Sequence, residues 1–487
     1  MLTRASNLFV HRFPYVIATY FILQILVRLI TTNGVTVDES EQVMLTQYFA
    51  LGYNAQPPLY TWLQMIFFGI FGKNVFAIAL LKNLTLFSIY IFTYATALLL
   101  TENRAKASLS AVGLLFLPQL VWEAQIDQIH TVLLTASTAA FFYFYFYAAK
   151  KQTLAGYLLF GVSGACGLLA KYNFVIVVLA LLVATLMVPD YRRRIFNKKL
   201  CLSIAVAIIL TLPHIVWFLT HMDLATSETI TRMNVDQGGS YLADILHGSV
   251  ELVLSYLAFI AVFLVFYLAL FRKQFKLQPL TPAARLLAIY IATTFLAIFA
   301  IVLISQSTNI KERWLQPFLF ILPLLAFMLT DLPQVRPRSI RIYTGTGSVL
   351  CLIVMLIIPL RVVLVDFDSK PHRENYPFKA ISEKLNHQSP EGQRLLVLTE
   401  DKFIGGNLRL FMEDATLITP SIPLQKYTPE ETVLVVWQRR NPIEFLSGSA
   451  TPVDLEPDEI IVPYRFSKRF DAKFYAQVYS LDTSLIQ

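Results

Sequence analysis

Apolar runs long enough to cross a lipid bilayer recur along most of this chain, and they restrict its fold more than any other feature. A membrane-spanning helix needs about 20 consecutive apolar residues. Candidate runs lie at about 15–32, 75–100, 107–122, 130–148, 153–170, 172–188, 200–219, 249–271, 285–305, 314–330 and 342–365. We therefore predict a polytopic α-helical membrane protein with about eleven transmembrane helices.

The distribution of basic residues predicts how these helices are oriented. Lys and Arg cluster in the loops that follow every second span, as in RRRIFNKK at 192–199 and FRKQFK at 271–276. Loops of this kind stay in the cytoplasm. The loop after the first span and the C-terminal tail then lie on the outer face. The same clusters account for most of the net charge of +8, so we expect no nucleic-acid partner.

The chain changes in composition after the last apolar run. Strand-like segments recur there, with an amphipathic helical segment before the first of them: RLLVLT at 394–399, TVLVVW at 432–437, FYAQVYSL at 474–481 and PFKAISEKLNHQ at 377–388. We predict a transmembrane domain at 1–365 and a small extracytoplasmic α/β domain at 366–487. The pair Gly405–Gly406 is interpreted as a turn, because an isolated pair of glycines more often marks a turn than a phosphate loop.

The first outer loop combines carboxylates with apolar residues. It opens with VDESEQ at 37–42, directly after the first span, and we predict two interfacial helices in it. The first would cover 39–51 and end before Gly52, and the second would begin after Pro57–Pro58. Asp38 and Glu39 would then lie at the depth of the lipid headgroups. Asp38 also suits a helix N-cap, and Glu41 is interpreted as a solvated residue on the helix face.

Other ionisable residues cluster where predicted spans reach the outer face. Asp127 lies in WEAQIDQIH, Lys171 in AKYN, and Lys311 and Arg313 in SQSTNIKERW. Arg forks match phosphate oxygens, but cations at a span end also anchor to headgroups. Asp127 equally suits a plain loop acid. Lys82, inside the second span, either lines a cavity or extends its amine to the interface.

Three histidines near the outer face raise the possibility of a metal site. His214, His221 and His247 show no compact ligand spacing. We therefore expect neither a metal nor another cofactor.

The ordered set of motifs resembles the C-type glycosyltransferases related to protein O-mannosyltransferases. The similarity is to the bacterial branch, with the lipid A aminoarabinose transferases and the lipopolysaccharide galacturonosyltransferases. It covers about residues 15–330. The matching elements are the Asp-Glu pair, GYNAQPPLYTWL, GLLAKYNFVIV at 167–177, LPHIVWFLTHMD at 212–223 and ERWLQPFLFILP at 312–323. The chain departs from the family pattern at Glu41–Gln42 and at Lys82, where Arg is common, so the resemblance specifies the class and not the sugar.

The resemblance implies a reaction and a set of site residues. A sugar would pass, with inversion, from a polyprenyl-phosphate donor to a lipid or lipopolysaccharide acceptor on the periplasmic face of a bacterial inner membrane. Asp38 would be the base, with Glu39 and Asp127 as further acidic members of the site. From their side-chain chemistry we predict that Lys311 and Arg313 bind the donor phosphate, with Lys171 and Lys82 ranked below them. The substrate-binding loop would contain Tyr53, Gln56 and Pro57.

Other functions fit part of the same pattern. A non-catalytic transporter or flippase of lipid-linked sugars would also have many spans and a lipid ligand. It would, however, spread its charges through the depth of the bundle, often with an inverted repeat. A transferase acting on protein or on another surface glycan, and a ligase of whole glycan chains, also remain open.

Overall fold

The computed structural model of this chain is mostly helical and describes residues 4–225, 241–276, 280–386, 395–412, 415–422, 432–446, 450–453 and 456–481. The longer helices are Arg4–Thr31, Leu59–Phe71, Val75–Thr101, Arg104–Gly113, Ile129–Lys151, Leu154–Ala170, Phe174–Met187, Leu200–Thr220, Tyr241–Phe271, Pro282–Ser305 and Pro337–Val363. Shorter helices are Val37–Leu45, Ala124–Ile126, Pro189–Ile195, Gln316–Leu319, Leu322–Met328, Phe378–Asn386 and Lys402–Arg409.

Seven helices within the described residues are long and apolar enough to cross a membrane, and two bent helix pairs raise that number to nine. The seven segments are Arg12–Thr31, Val75–Thr101, Ile129–Lys151, Leu200–Thr220, Tyr241–Gln274, Pro282–Ser305 and Pro337–Val363. Each coincides with a run identified in the sequence. The protein is therefore a membrane protein with many spans, and the total of about eleven stays a prediction.

The other four predicted runs form short or broken helices. Helices Arg104–Phe116 and Gln119–Ile126 bend by 77° around Pro118, and Phe174–Met187 bends by 112° into Pro189–Ile195. Proline lacks the N–H that a continuous helix requires at that position. The run at 314–330 is similarly divided, with Pro317 and Pro323 near the starts of its two helices, and Leu154–Ala170 has 17 residues.

The chain divides into two compact units. The first consists of Met1–Ile22, Ala50–Tyr60 and Lys82–Val354. The second consists of Leu23–Phe49, Thr61–Leu81 and Met355–Gln487. The second unit thus includes residues of the first loop as well as the C-terminal tail. The division predicted at residues 365 and 366 stays a prediction.

Within the first unit, small residues let neighbouring helices approach closely. Helix Leu154–Ala170 packs between Ile129–Lys151 and Leu200–Thr220. A Cβ on Gly161 would lie 2.4 Å from the carbonyl oxygen of Ser203, a separation that real structures avoid. Glycine at this point allows the backbones to meet, as small residues commonly do between membrane helices.

The second unit contains a mixed β-sheet. Its strands are β1 (Leu396–Thr399), β2 (Thr416–Ile418), β3 (Thr432–Trp437), β4 (Ala450–Pro452), β5 (Asp458–Pro463) and β6 (Asp471–Leu481). The strand order is β2-β1-β3-β6-β4, and β5 pairs with β6. Strands β1, β2 and β3 run parallel, whereas β6 runs antiparallel to its neighbours.

The three strand-like runs found in the sequence correspond to β1, β3 and β6. Leu398, Val433 and Val435 lie in the apolar core on one face of the sheet. Strands β2, β4 and β5 were not predicted. Two of these, β2 and β4, have three residues each, too few to show alternation of apolar and polar side chains.

Two short helices of the second unit differ from their predictions, and both are central to the site. We call Val37–Leu45 the acidic helix and Lys402–Arg409 the glycine helix. The acidic helix ends at Leu45, not before Gly52. The glycine helix contains Gly405 and Gly406, so the interpretation of this pair as a turn is wrong.

Gly52 has a role in packing, which explains why a glycine stands there without ending a helix. It belongs to the first unit, and a Cβ on it would lie 2.1 Å from the indole ring of Trp217. Glycine therefore lets the loop backbone lie directly on this ring.

Candidate active site

The residue that caps the N-terminus of the acidic helix is Thr36, and Asp38 lies inside the helix. The Thr36 N–H donates to a carboxylate oxygen of Glu39 at 3.0 Å, which satisfies a backbone donor at the helix N-terminus. Asp38 lies in the first turn, where its negative charge is favourable. The alternative interpretation of Asp38 as the N-cap is therefore wrong.

The three carboxylates of VDESEQ have different surroundings. Glu39 and Glu41 are buried, whereas Asp38 is partly exposed. Glu39 receives two bonds from the guanidinium of Arg28, at 2.7 and 2.5 Å, in the forked geometry that suits a carboxylate. This pair fixes Glu39 against the last turn of the first span.

Glu41 is also held by an ion pair. The Nζ of Lys402 lies 2.6 Å from a carboxylate oxygen of Glu41, and the Glu41 side chain is 12% exposed. The interpretation of Glu41 as a solvated residue is therefore wrong. Its partner comes from the glycine helix, which lies far along the chain, so no local pattern in the sequence indicated the pair.

In the first unit, Lys82 lies close to the segment that carries Asp127. Lys82 is 1% exposed, and its Nζ donates to the carbonyl oxygen of Gln125 at 2.8 Å. The amine is therefore held inside the protein and does not extend to an interface, as the alternative prediction required. Asp127 follows two residues after Gln125 and is partly exposed.

The backbone beside Asp127 is strained. Gln128 has a φ of +70°, a left-handed conformation that a residue with a Cβ rarely adopts. Its side-chain amide donates to a carboxylate oxygen of Glu123 at 2.6 Å, which fixes the bend. Such strain persists where the surrounding contacts hold it, often at functional sites.

The remaining predicted cations also lie in the first unit but differ in burial. Lys171 donates to the hydroxyl of Thr131 at 3.1 Å and is partly buried. Lys311 and Arg313 are exposed at either side of Glu312, and within the described part of the chain neither forms an ion pair. These two side chains can therefore accept an external anion without first breaking an internal pair.

The predicted substrate-binding loop belongs to the first unit and is anchored internally. Tyr53 is buried, and its hydroxyl accepts a bond from the Ala50 N–H at 3.1 Å. Pro57 is buried, and the side-chain oxygen of Gln56 has no hydrogen-bond partner among the described residues. A buried amide oxygen of this kind is a group that a ligand hydroxyl would satisfy.

His214 and its neighbours also anchor this loop. The Nδ1 of His214 lies 2.7 Å from the carbonyl oxygen of Leu51. Its ring stacks between Tyr172 and Trp217, with ring centroids 5.8 and 5.7 Å away. His214 was predicted near the outer face, but no pattern in the sequence indicates this contact, which joins residues 163 positions apart.

The histidines do not form a metal centre in the described residues. His221 stacks on Trp217, and His247 lies 3.8 Å from Glu251, one helical turn away. Where the structure describes the chain, no three or more His, Cys, Asp or Glu side chains come together in an arrangement that would hold a metal ion.

The predicted site residues are thus distributed over the two units. Asp38 and Glu39 belong to the second unit, and the other predicted residues belong to the first. Within the first unit, Lys82 and the Asp127 segment are brought together. Arg28 and Lys402, which hold the carboxylates of the acidic helix, were not predicted. The roles assigned to all the predicted residues stay predictions.

Comparison with known proteins relates the chain to membrane sugar transferases. A model of the dolichyl-phosphate-mannose-protein mannosyltransferase family matches residues 55–217. RgtB of Rhizobium johnstonii, a lipopolysaccharide core galacturonosyltransferase, is 33% identical over 428 residues, covering 86% of each chain. RgtA of the same organism, also a lipopolysaccharide core galacturonosyltransferase, is 29% identical over 466 residues, covering 94% of this chain and 90% of RgtA.

Solved structures show the same fold at lower identity. ArnT from Cupriavidus metallidurans, crystallised with undecaprenyl phosphate, has a TM-score of 0.63 and 14% identity, covering 97% of this chain and 98% of ArnT. Its apo structure gives a TM-score of 0.62 at 13% identity, covering 95% and 97%. The fold is therefore that of ArnT, and the relationship to RgtB favours a transferase over the transporter. The chain belongs to the family of membrane glycosyltransferases that includes the lipopolysaccharide core galacturonosyltransferases.

Proposed function

We propose that this enzyme transfers a sugar from a polyprenyl-phosphate donor to a lipopolysaccharide acceptor on the periplasmic face of a bacterial inner membrane, with Asp38 as the general base. The supporting observation is the difference among three neighbouring carboxylates. Glu39 and Glu41 are buried in ion pairs, whereas Asp38, in the first turn of the same helix, is partly exposed. Of the three, Asp38 is the most exposed, and a general base must be accessible to the acceptor hydroxyl.

The proposed reaction is a displacement at the anomeric carbon. Asp38 takes the proton of the acceptor hydroxyl, the oxygen forms a bond to the anomeric carbon, and the bond from that carbon to the phosphate oxygen breaks. The sugar inverts its configuration and the polyprenyl phosphate leaves as an anion. Cationic side chains stabilise the charge that develops on the phosphate.

We assign phosphate binding first to Lys311 and Arg313. Both are exposed, and neither is engaged in an ion pair among the described residues. The guanidinium of Arg313 offers two parallel N–H donors to phosphate oxygens. Lys171 and Lys82 are secondary candidates, because each already donates to a protein oxygen.

The relatives suggest which substrates to test first. RgtB and RgtA are named as lipopolysaccharide core galacturonosyltransferases, and one ArnT structure holds undecaprenyl phosphate. We therefore propose polyprenyl-phosphate-linked galacturonic acid as the donor and the lipopolysaccharide core as the acceptor. Mass spectrometry of lipopolysaccharide from a deletion strain tests both, because loss of a different sugar would exclude this donor.

The decisive experiment is Asp38→Asn, assayed as sugar transfer by purified protein in nanodiscs. The amide cannot accept the acceptor proton, so we expect activity to fall by about 10²- to 10⁴-fold. Stability should change little, because loss of a charge in the first helical turn costs about 0.3–1 kcal/mol. A folded Asp38→Asn protein with near wild-type activity would exclude Asp38 as the base.

The control is Asp190→Asn. Asp190 is exposed and also lies in the first turn of a short helix, Pro189–Ile195. The substitution therefore makes the same change in charge and helix chemistry elsewhere in the chain. We expect it to leave the transfer rate unchanged.

The periplasmic location of the site makes a separate prediction. Reporter fusions should report cytoplasmic loops around residues 104, 150, 195, 275 and 337. Fusions around residues 40 and 400 should report the opposite side. A cytoplasmic signal at residue 400 would mean an even number of spans, and the assignment of the C-terminal domain to the outer face would be wrong.

A further inference from the structure

The acidic helix is held along its whole length by the glycine helix. Both belong to the second unit, although they lie more than 350 positions apart in the chain. The contacts are a buried amide before the acidic helix, a close backbone approach and an ion pair in its middle, and an arginine at its end.

Before the acidic helix, Asn407 binds both backbone groups of Val35. Its side-chain oxygen accepts from the Val35 N–H at 2.8 Å, and its amide nitrogen donates to the Val35 carbonyl at 3.1 Å. The same nitrogen donates to the carbonyl of Phe403 at 2.9 Å, within the glycine helix. Asn407 is fully buried. It therefore fixes the backbone three residues before Asp38.

In the middle, Gly406 determines how closely the two helices approach. A Cβ at this position would lie 2.1 Å from the carbonyl oxygen of Ser40, which is backbone and cannot rotate away. The Lys402–Glu41 ion pair lies beside this contact. Any larger residue at 406 must therefore displace the segment that carries Asp38.

At its end, the acidic helix is held by Arg409. The guanidinium donates to the carbonyl of Val43 and, at 2.9 Å, to the hydroxyl of Thr46. Burial lowers the pKa of the Arg409 guanidinium to about 10, so it stays charged at neutral pH. A cation at a helix C-terminus satisfies carbonyls that lack intrahelical partners.

The edge of the sheet extends this support. The side chain of Gln47, two residues after the acidic helix, accepts from the Leu417 N–H at 3.0 Å and donates to the Leu417 carbonyl at 2.8 Å. Leu417 lies in strand β2, and the glycine helix packs on β1 and β2. The acidic helix is thus anchored to a folded sheet, both through Gln47 and through the glycine helix.

We propose that the glycine helix positions Asp38 for the reaction, with Asn407, Gly406 and Lys402 as its positioning residues. This inference rests on the proposed role of Asp38 as the base. The positioning residues need not touch the substrate. They fix the helix backbone, and a displacement of about 1 Å in a reacting group can cost about 10²-fold in rate.

The first test compares two buried asparagines of the second unit. Asn375, like Asn407, is fully buried, and its amide nitrogen donates to the carbonyls of Val362 and Arg465 at 2.7 and 2.9 Å. None of these contacts involves the acidic helix. Asn407→Asp and Asn375→Asp therefore remove the same amide donors, but of the two residues only Asn407 bonds directly to Val35, before Asp38.

The assay uses full-length protein in nanodiscs, with polyprenyl-phosphate-linked galacturonic acid and lipopolysaccharide core. At a temperature where both variants are folded, we expect Asn407→Asp to lower kcat by about tenfold or more, on the scale of a sub-ångström to 1 Å displacement. KM for the donor should stay near wild type, and Asn375→Asp should keep its kcat. Equal kcat values for the two variants would overturn the proposal.

The second test uses the ion pair and decides the matter if Asn407→Asp does not fold. Lys402 is partly exposed, so Lys402→Glu is compatible with folding, but it places two carboxylates together and pushes the acidic helix away. We expect kcat to fall in Lys402→Glu and to recover in the charge-swapped pair Lys402→Glu with Glu41→Lys. Failure of the swap to restore kcat, with melting temperature restored, would contradict positioning.

A third test changes only the packing between the two helices and removes no side-chain hydrogen bond. Gly406→Ala forces the two backbones apart, whereas Gly345→Ala, also in a helix, meets no atom within 4 Å. We expect kcat to fall only in Gly406→Ala. Asp38→Asn is measured alongside: if it is inactive while all positioning variants are fully active, the further inference fails and the assignment of Asp38 survives.

Discussion

The acidic helix and the segment around Lys311 and Arg313 both carry charges assigned to the reaction, but they are built differently. In the acidic helix, Glu39 and Glu41 are buried and each is matched by a cation. Lys311 lies immediately before the short turn Glu312–Leu315 and Arg313 lies within it, and both are exposed.

This difference indicates different functions for the two regions. A general base must meet its proton within hydrogen-bonding distance, so a fixed backbone is an advantage. A phosphate on a long lipid arrives from outside, and exposed cations can adjust to it at little cost because no internal ion pair must break first. The acidic helix thus suits a role that requires fixed geometry, and the Lys311–Arg313 segment suits the proposed capture of the donor phosphate.

The largest expected effect distinguishes the two regions by stability. Glu39→Gln leaves the Arg28 guanidinium without its carboxylate in a mostly buried place, which typically costs about 3–5 kcal/mol. We expect a marked fall in melting temperature. Glu312→Gln is the matched control in the cationic segment and should stay within about 0.5 kcal/mol, as for most surface substitutions. Equal melting temperatures for the two variants would show that the Arg28–Glu39 ion pair does not stabilise the acidic helix.

The next effect concerns capture of the donor. Arg313→Ala removes charged hydrogen bonds worth about 1.5–3 kcal/mol, which corresponds to a fall in kcat/KM of about 10- to 100-fold. Arg313→Lys should lose less, because it keeps the charge but not the fork. Melting temperature should not change in either variant. Wild-type kcat/KM in both would reduce Arg313 to a headgroup anchor.

The smallest effect is the response to salt. The screening length falls from about 10 Å at 0.1 M to about 3 Å at 1 M ionic strength, and exposed charges are affected far more than buried pairs. We therefore expect KM for the donor to rise a few-fold over this range in wild type and much less in Arg313→Ala. A wild-type KM that does not respond to salt would argue against capture by exposed cations.

The spans were predictable because insertion of a helix depends on the composition of a local segment. The seven clear helices and strands β1, β3 and β6 all have local patterns of this kind. The break around Pro118 was not identified, since proline is tolerated in many membrane helices, whereas the run at 172–188 ends before Pro189, as helix Phe174–Met187 does. The candidate residues were found from their motifs, not from contacts.

The support of the site was not predictable, because it depends on contacts between distant residues. Glu41 was interpreted as a solvated residue on the helix face, and its partner Lys402 lies 361 positions later, too far for a local pattern to indicate the pair. Gly405 and Gly406 resembled a turn for the same reason: the backbone that requires a glycine at 406 belongs to Ser40. Arg28, within an apolar run, gave no sign of pairing with Glu39.

The long separation between the acidic helix and the glycine helix has a consequence for biosynthesis. At roughly 5–20 residues per second, the ribosome reaches Lys402 about 20–70 s after Glu41. During that interval most of the spans can enter the membrane, while the acidic helix still lacks its contacts with the glycine helix and strand β2. Newly inserted, unfinished chains should therefore be unable to transfer sugar from a lipid-linked donor. Transferase activity should arise only when the glycine helix and the sheet have been translated and folded.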